Sequence, residues 1–231
     1  MWSGAGALFA SIGQIRRRLL RHILSSFATG LTGLTRSKTI ALSLFITALL
    51  VFLQFNLLPN GISFTSRMRS INRLKNRTLL PQESDFDDRV TLNALLQLED
   101  DATRWSEAMA ARVEGYVVAV KDGSIESANC YSLLQRDTHI ELALSHDASP
   151  RERVELEVTP RIREWAKRQG WDWSTTALRS ELVGHWCEFE GWLLFDTGHD
   201  EESENTKPGG EKNWRATAWE LHPVTSVKVI R

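Results

Sequence analysis

Twenty consecutive residues near the front of the chain carry no charge. Thr39–Leu58 reads TIALSLFITALLVFLQFNLL, with only Thr, Ser, Gln and Asn as polar interruptions. At the rise of an α-helix, about twenty residues cross a hydrocarbon core of roughly 30 Å. A helix buried in a globular domain would be shorter or amphipathic. Arg36 and Lys38 precede the run, and Pro59-Asn60-Gly61 follows it with residues that stop helices. The expectation is one transmembrane helix over 39–58.

Charge divides the chain near the same place. Residues 1–80 hold eleven Lys/Arg and no acid, whereas residues 81–231 hold seventeen Lys/Arg and all twenty-nine acids, a formal −12. The basic part suits a membrane surface, so a lipid bilayer is the first expected partner, with another membrane or exported protein as the second. The acidic part would repel phosphates, which argues against nucleic acid. Arg16, Arg17, Arg18, Arg21, Arg36 and Lys38 lie before the run, and Arg67, Arg69, Arg73, Lys75 and Arg77 after it. The positive-inside rule then gives a small bias toward a cytoplasmic N-terminus and an extracytoplasmic, periplasmic-type soluble domain. A signal anchor is the first reading of this segment. The second is a transit peptide with an organellar inner-membrane anchor, because residues 11–37 are rich in Arg and Ser and free of acids. The expected organisation is a basic segment (1–38), the helix (39–58), a linker (59–88) and a soluble domain (89–231).

Within the soluble part, Arg89–Ala111 spaces Leu92, Leu95, Leu96, Trp105 and Met109 as an amphipathic helix would. From Arg112 the period becomes two. Val113 and Tyr116–Val120 predict a first strand, His139–Ser145 a second and Arg153–Thr159 a third, ended by Pro160. Arg161–Val183 predicts two short helices around Gly170, the second capped by Ser174 or Thr175. Trp186–Phe195 and Thr217–Ile230 predict the last two strands, joined by a polar loop over Asp196–Trp214. Three strands, a helical insertion and two strands suit a mainly β fold, a small five-stranded OB-like barrel; an open α+β sheet is the alternative.

Polar residues gather at strand ends. Asp137, His139 and Glu141 share one face by alternation, Glu157 ends the third strand, Asp196 and His199 follow the fourth, and Glu220 and His222 share a face of the fifth. Imidazole with carboxylate can hold a divalent metal or serve as acid and base, and no other cofactor is assigned. His139, His199, Glu220 and His222 are the expected metal ligands. Asp137, His139, Glu141, Glu157, Trp214 and Arg215 are the expected contacts to a ligand. The bland alternative is a solvated outer strand face. Trp165, Trp186 and Trp219 read as core, whereas Trp214 reads as exposed. No G-x-S-x-G, Walker loop or GxGxxG occurs, so no catalytic residue is assigned. Cys130 and Cys187 lack the spacing of a zinc finger and leave one disulfide or two free thiols open.

Read together, Glu126-Ser127-Ala128-Asn129-Cys130, Asp137-Thr138-His139-Ile140-Glu141-Leu142, Glu157-Val158-Thr159-Pro160, Gly191–Asp196 with His199, and Trp219-Glu220-Leu221-His222-Pro223-Val224 resemble an uncharacterised family of bacterial exported OB-like β-barrel domains. The resemblance covers about Arg112–Val229. It implies a small barrel outside the cytoplasm and no particular activity. Three functions stay open: a membrane-tethered binding or interaction domain, a metal-dependent hydrolase acting on a phosphoester, and a single-stranded nucleic-acid binder.

Overall fold

The computed structural model describes residues 38, 40–47, 49 and 58–231. The chain forms two compact units, Met1–Phe52 and Leu53–Arg231. In the first, residues 40–47 are helical. Residues 39, 48 and 50–57 of the expected span, and the basic segment 1–37, lie outside the described residues. Among the described residues no helix is long and apolar enough to cross a membrane.

The second unit is built on a closed five-stranded barrel in the order β1-β2-β3-β5-β4. Its strands are β1 (Ala110–Asp122), β2 (Thr138–Ala143), β3 (Val154–Val158), β4 (Trp186–Phe195) and β5 (Trp219–Val229). β1 serves two neighbours. Its first half pairs with β4, from Ala110↔Trp192 to Tyr116↔Trp186, and its second half with β2, from Tyr116↔Ala143 to Asp122↔Thr138. A register irregularity between Val117 and Ala119 bends the strand between these roles. The parallel pair β3/β5, through Leu156↔Leu221, closes the barrel; all other pairs are antiparallel.

Alternation fills the interior. Ile140 and Leu142 of β2, Val154, Leu156 and Val158 of β3, and Trp219 and Leu221 of β5 are all in the core. β4 approaches β5 closely at Gly191, where a Cβ would lie 2.7 Å from Pro223 O and 3.1 Å from Val224 Cα. Those neighbours are backbone and cannot swing aside. Gly191→Ala is therefore expected to destabilise the barrel by about 1–3 kcal/mol, read as a shifted denaturant midpoint.

Between β3 and β4 lie α3 (Pro160–Arg168) and α4 (Thr175–Leu182), numbered after two earlier helices, α1 (Ser66–Lys75) and α2 (Leu92–Leu96). Thr159 caps α3 by accepting from the Ile162 N–H, and Pro160 needs no partner at the first turn. Ser174 caps α4. Ile162, Ala166, Leu178 and Leu182 join the barrel core from this pair.

Two expectations change. The helix predicted over Arg89–Ala111 is only α2 and a 3-10 turn at Asp101–Thr103, with β1 starting at Ala110. Asp101, fully buried, is the reason. Its Oδ2 accepts from Thr217 Oγ1 and Ala218 N, its Oδ1 accepts from Arg104 and Asn205, and its carbonyl accepts from Trp219 Nε1. An acid on the inner side cannot continue an apolar helical face. The segment read as a linker is also folded. α1 buries Asn72 and Lys75. Arg77 donates to the carbonyls of Leu74, Glu107, Leu193 and His222, and burial lowers its pKa to about 10. Cys130 and Cys187 are both free and buried.

Candidate metal centre

The polar residues of β2, β3 and β5 point away from the barrel core. Antiparallel pairing sets His139 opposite Glu157 and Glu141 opposite Glu155. The parallel register then brings Glu155 and Glu157 alongside Glu220 and His222. One row across three strands therefore reads His139, Glu157, His222. This outer face is not solvated: Asp137, Glu155, Glu157, Glu220 and His222 are each no more than 3% exposed. α1 and the loop after β1 help cover it. Ser127 Oγ donates to Asn72 Oδ1, and Asn76 Nδ2 to Ala128 O. The loop after β4 is ordered rather than open, with a bridge between Ser203 and Arg215.

His222 lies at the centre. Its Nδ1 is 3.0 Å from Glu220 Oε1 and 3.3 Å from Glu157 Oε2, and its Nε2 is 4.0 Å from Asp137 Oδ2. A carboxylate held against Nδ1 fixes a proton there and leaves Nε2 as a lone pair, the arrangement common behind metal-binding histidines. Asp137, Glu157 and His222 can each offer one ligand atom, and these lie within 4.8 Å of one another. His139 repeats the pattern, with Nδ1 at 3.1 Å from Glu155 Oε1 and Nε2 at 3.3 Å from Glu157 Oε1. Gly123 makes room for that ring, since a Cβ there would lie 2.5 Å from His139 Nε2. Glu126, His139 and Glu157 form a second set within the same distance.

Asp137, Glu126, Glu155, Glu157 and Glu220 lie among Lys75, Arg215 and, acting on Asp137, Arg161 and Arg163. Lys75 Nζ is 2.9 Å from Glu126 Oε2, and Arg215 is 3.0 Å from Glu220 Oε2. Both Asp137 carboxylate oxygens, Glu157 Oε2 and His222 Nε2 are buried without a hydrogen bond of acceptable geometry. Buried polar atoms left in this state are costly and call for an ion, water or other partner. Burial holds Glu157 well above, and Asp137 above, the usual carboxylate range. Burial would lower His222, but Glu157 and Glu220 override it and raise its pKa. Burial would raise Glu126, but Lys75 overrides it and lowers its pKa.

A cleft of about 470 Å³ opens beside this cluster. Lys75, Glu126, Asp196 and His199 are among its walls. Asp196 Oδ2 lies 2.5 Å from His199 Nδ1, and that bond, ahead of the opposing effect of burial, raises the imidazole pKa.

Of the four expected metal ligands, His139, Glu220 and His222 come together. His199 is engaged instead by Asp196, and Glu220 serves His222 from behind while paired with Arg215. Of the expected ligand contacts, Asp137, His139 and Glu157 belong to the cluster. Glu141 is bound by Lys121 and Arg153, at 2.5 and 2.6 Å, and is spent on ion pairs. Arg215 is 1% exposed and is a buried counter-ion rather than a surface contact. Trp214 is half-buried, its Nε1 donating to Glu202 and its ring edge-on to His199 at 5.6 Å. Trp219 lies in the core, whereas Trp165 packs against it partly buried. Three members went unassigned in the sequence: Lys75, Glu126 and Glu155. Alternation around Leu156 was the available signal for Glu155, and the ESANC phrase for Glu126. Lys75 gave none, being one of several basic residues in a presumed linker. No protein-family model matches the chain, and no curated protein is detectably similar to it.

Proposed function

We propose that the second unit is a divalent-metal-dependent hydrolase of phosphoesters on an OB-type barrel, tethered to a membrane by the uncharged run 39–58. One observation carries the chemistry: Asp137, Glu157 and His222 converge, buried, with both Asp137 carboxylate oxygens, Glu157 Oε2 and His222 Nε2 lacking a hydrogen bond of acceptable geometry. Imidazole with two carboxylates suits Zn²⁺ or Mn²⁺, which act as Lewis acids and lower the pKa of bound water. The strand order, with helices between the third and fourth strands, supports the OB assignment. The adjoining cleft supplies the rest. Lys75 suits phosphoryl oxygens, and His199, held by Asp196, is placed to move a proton. In the reaction the water oxygen bonds phosphorus as the bond to the leaving oxygen breaks. One water proton passes to a base, and the leaving oxygen takes a proton.

The test is hydrolysis of bis(p-nitrophenyl) phosphate by the full-length protein, metal-free and then with Mn²⁺ or Zn²⁺. Metal-dependent turnover that is lost in His222→Ala is expected. Metal binding with no turnover would sink the hydrolase and leave a metal-loaded binding domain. Single-stranded nucleic-acid binding is disfavoured, because the β2–β3–β5 face presents carboxylates under a cover rather than exposed rings and cations.

A pH dependence follows. His222, Asp137 and Glu157 all keep their protons to higher pH than usual. A metal must displace those protons, so acidification weakens binding and rising pH strengthens it until the groups are deprotonated. Calorimetric titration with Mn²⁺ should give weaker binding at about pH 5.5 than at about pH 7.5, with protons released. Equal affinity at both would contradict the ligand assignment.

A further inference from the structure

We infer that the centre holds two divalent cations bridged by Glu157, an inner one with Asp137 and His222 and an outer one with Glu126 and His139. This rests on the metal reading above and adds to it a second site and its substrate-facing role.

Glu157 stands between the two histidines. Its Oε2 lies 3.3 Å from Nδ1 of His222 and its Oε1 3.3 Å from Nε2 of His139. Each histidine has a separate carboxylate behind Nδ1, Glu220 for one and Glu155 for the other. Both ligand sets meet the same limit of 4.8 Å and share only Glu157. A carboxylate with one oxygen toward each of two sets is the geometry of a bridging ligand, which in two-metal hydrolases spans ions about 3.5–4 Å apart. The histidines sit on β2 and β5, flanking β3, so their separation is set by the barrel and not by loops.

The two positions differ in access. Asp137 and His222 are 1% and 0% exposed, so the inner ion has no direct route to a substrate. Glu126 and His139 keep 18% and 13% of their side chains exposed, and Glu126 lines the 470 Å³ cleft. The outer ion is thus the one that meets substrate, with Lys75 across Glu126 as a fixed positive charge. A divalent cation and an ammonium at one cleft, backed by a second cation, match the charge of a phosphate ester better than that of a neutral peptide or glycoside.

The experiment is a Mn²⁺ titration of the metal-free full-length protein by calorimetry, with metal content after desalting and EPR at each stoichiometry. Two equivalents are expected, the second weaker by at least tenfold, with a spin-coupled signal appearing only beyond one equivalent. Glu126→Gln and His139→Ala should each reduce the count to one and abolish coupling, with circular dichroism unchanged. One equivalent in the unaltered protein would overturn the second site and leave the single-metal reading intact. No bound metal at all would overturn both. Two uncoupled equivalents, or two that survive both substitutions, would place the second ion elsewhere and overturn the bridge.

Discussion

Saturating Mn²⁺ or Zn²⁺ is expected to raise the melting temperature of the metal-free protein by about 5–10 °C. A ligand at a hundred times its Kd stabilises by about 2.7 kcal/mol, and a chain of this size gains about 2–4 °C per kcal/mol. Asp137→Asn is the informative variant. It keeps the shape of the side chain but removes one charge from a cluster rich in carboxylates. The metal-free form should therefore melt no lower than the unaltered protein, and higher if repulsion dominates. The shift on adding metal should shrink to near zero. A purely structural Asp137 would behave in the opposite way, with a lower starting point and an unchanged response. Mg²⁺ and Ca²⁺ should shift it less, because both prefer all-oxygen ligand sets. Absence of any shift with all four ions would end the metal reading.

Arg215→Met should cost about 3–5 kcal/mol, a drop of roughly 6–20 °C in melting temperature. The guanidinium is 3.0 Å from Glu220, 3.6 Å from Asp196, and donates through Nε to the Thr217 carbonyl. Burial would lower its pKa, but Glu220 and Asp196 overcome that and hold it charged. Removing it strands a fully buried carboxylate behind His222. Adding Glu220→Gln to the same chain removes that stranded charge, so the double variant should be more stable than Arg215→Met alone. Urea melts of the four proteins give the coupling directly. Additive losses would mean that the two groups do not act as a pair. Loss of Glu220 should also weaken metal binding about 10- to 100-fold, because it sets the proton on His222 Nδ1.

Much of this fold is local and was readable as such. Trp186–Phe195 is a strand with the predicted bounds, and β2 and β3 alternate as Ile140/Leu142 and Val154/Leu156/Val158 require. Ser174 and Thr159 act through hydrogen bonds within one turn. The individual pairs of the site were equally legible, since Glu220 and His222 must share a face if β5 is a strand. Their convergence was not. It depends on a parallel contact between β3 and β5, which exists because the barrel closes. Nor was the cover legible. Asp137, His139 and Glu157 would be an ordinary wet strand face without α1, and α1 lies in a segment whose basic residues imitate a membrane flank. Asp101 misled for a related reason. Its partners, Thr217 and Ala218, lie more than a hundred positions away, so nothing in 89–111 reveals why a helix must stop there.

α1 carries Lys75 onto the site from the stretch that directly follows the uncharged run. Removing the chain through Lys75 would take away Asn72 and Lys75, and with them the hold on Ser127 and Glu126. Trimming the chain back to its first strand would therefore strip Lys75 from the candidate site, and would also remove Arg77 and Asp101, which hold β4 and β5.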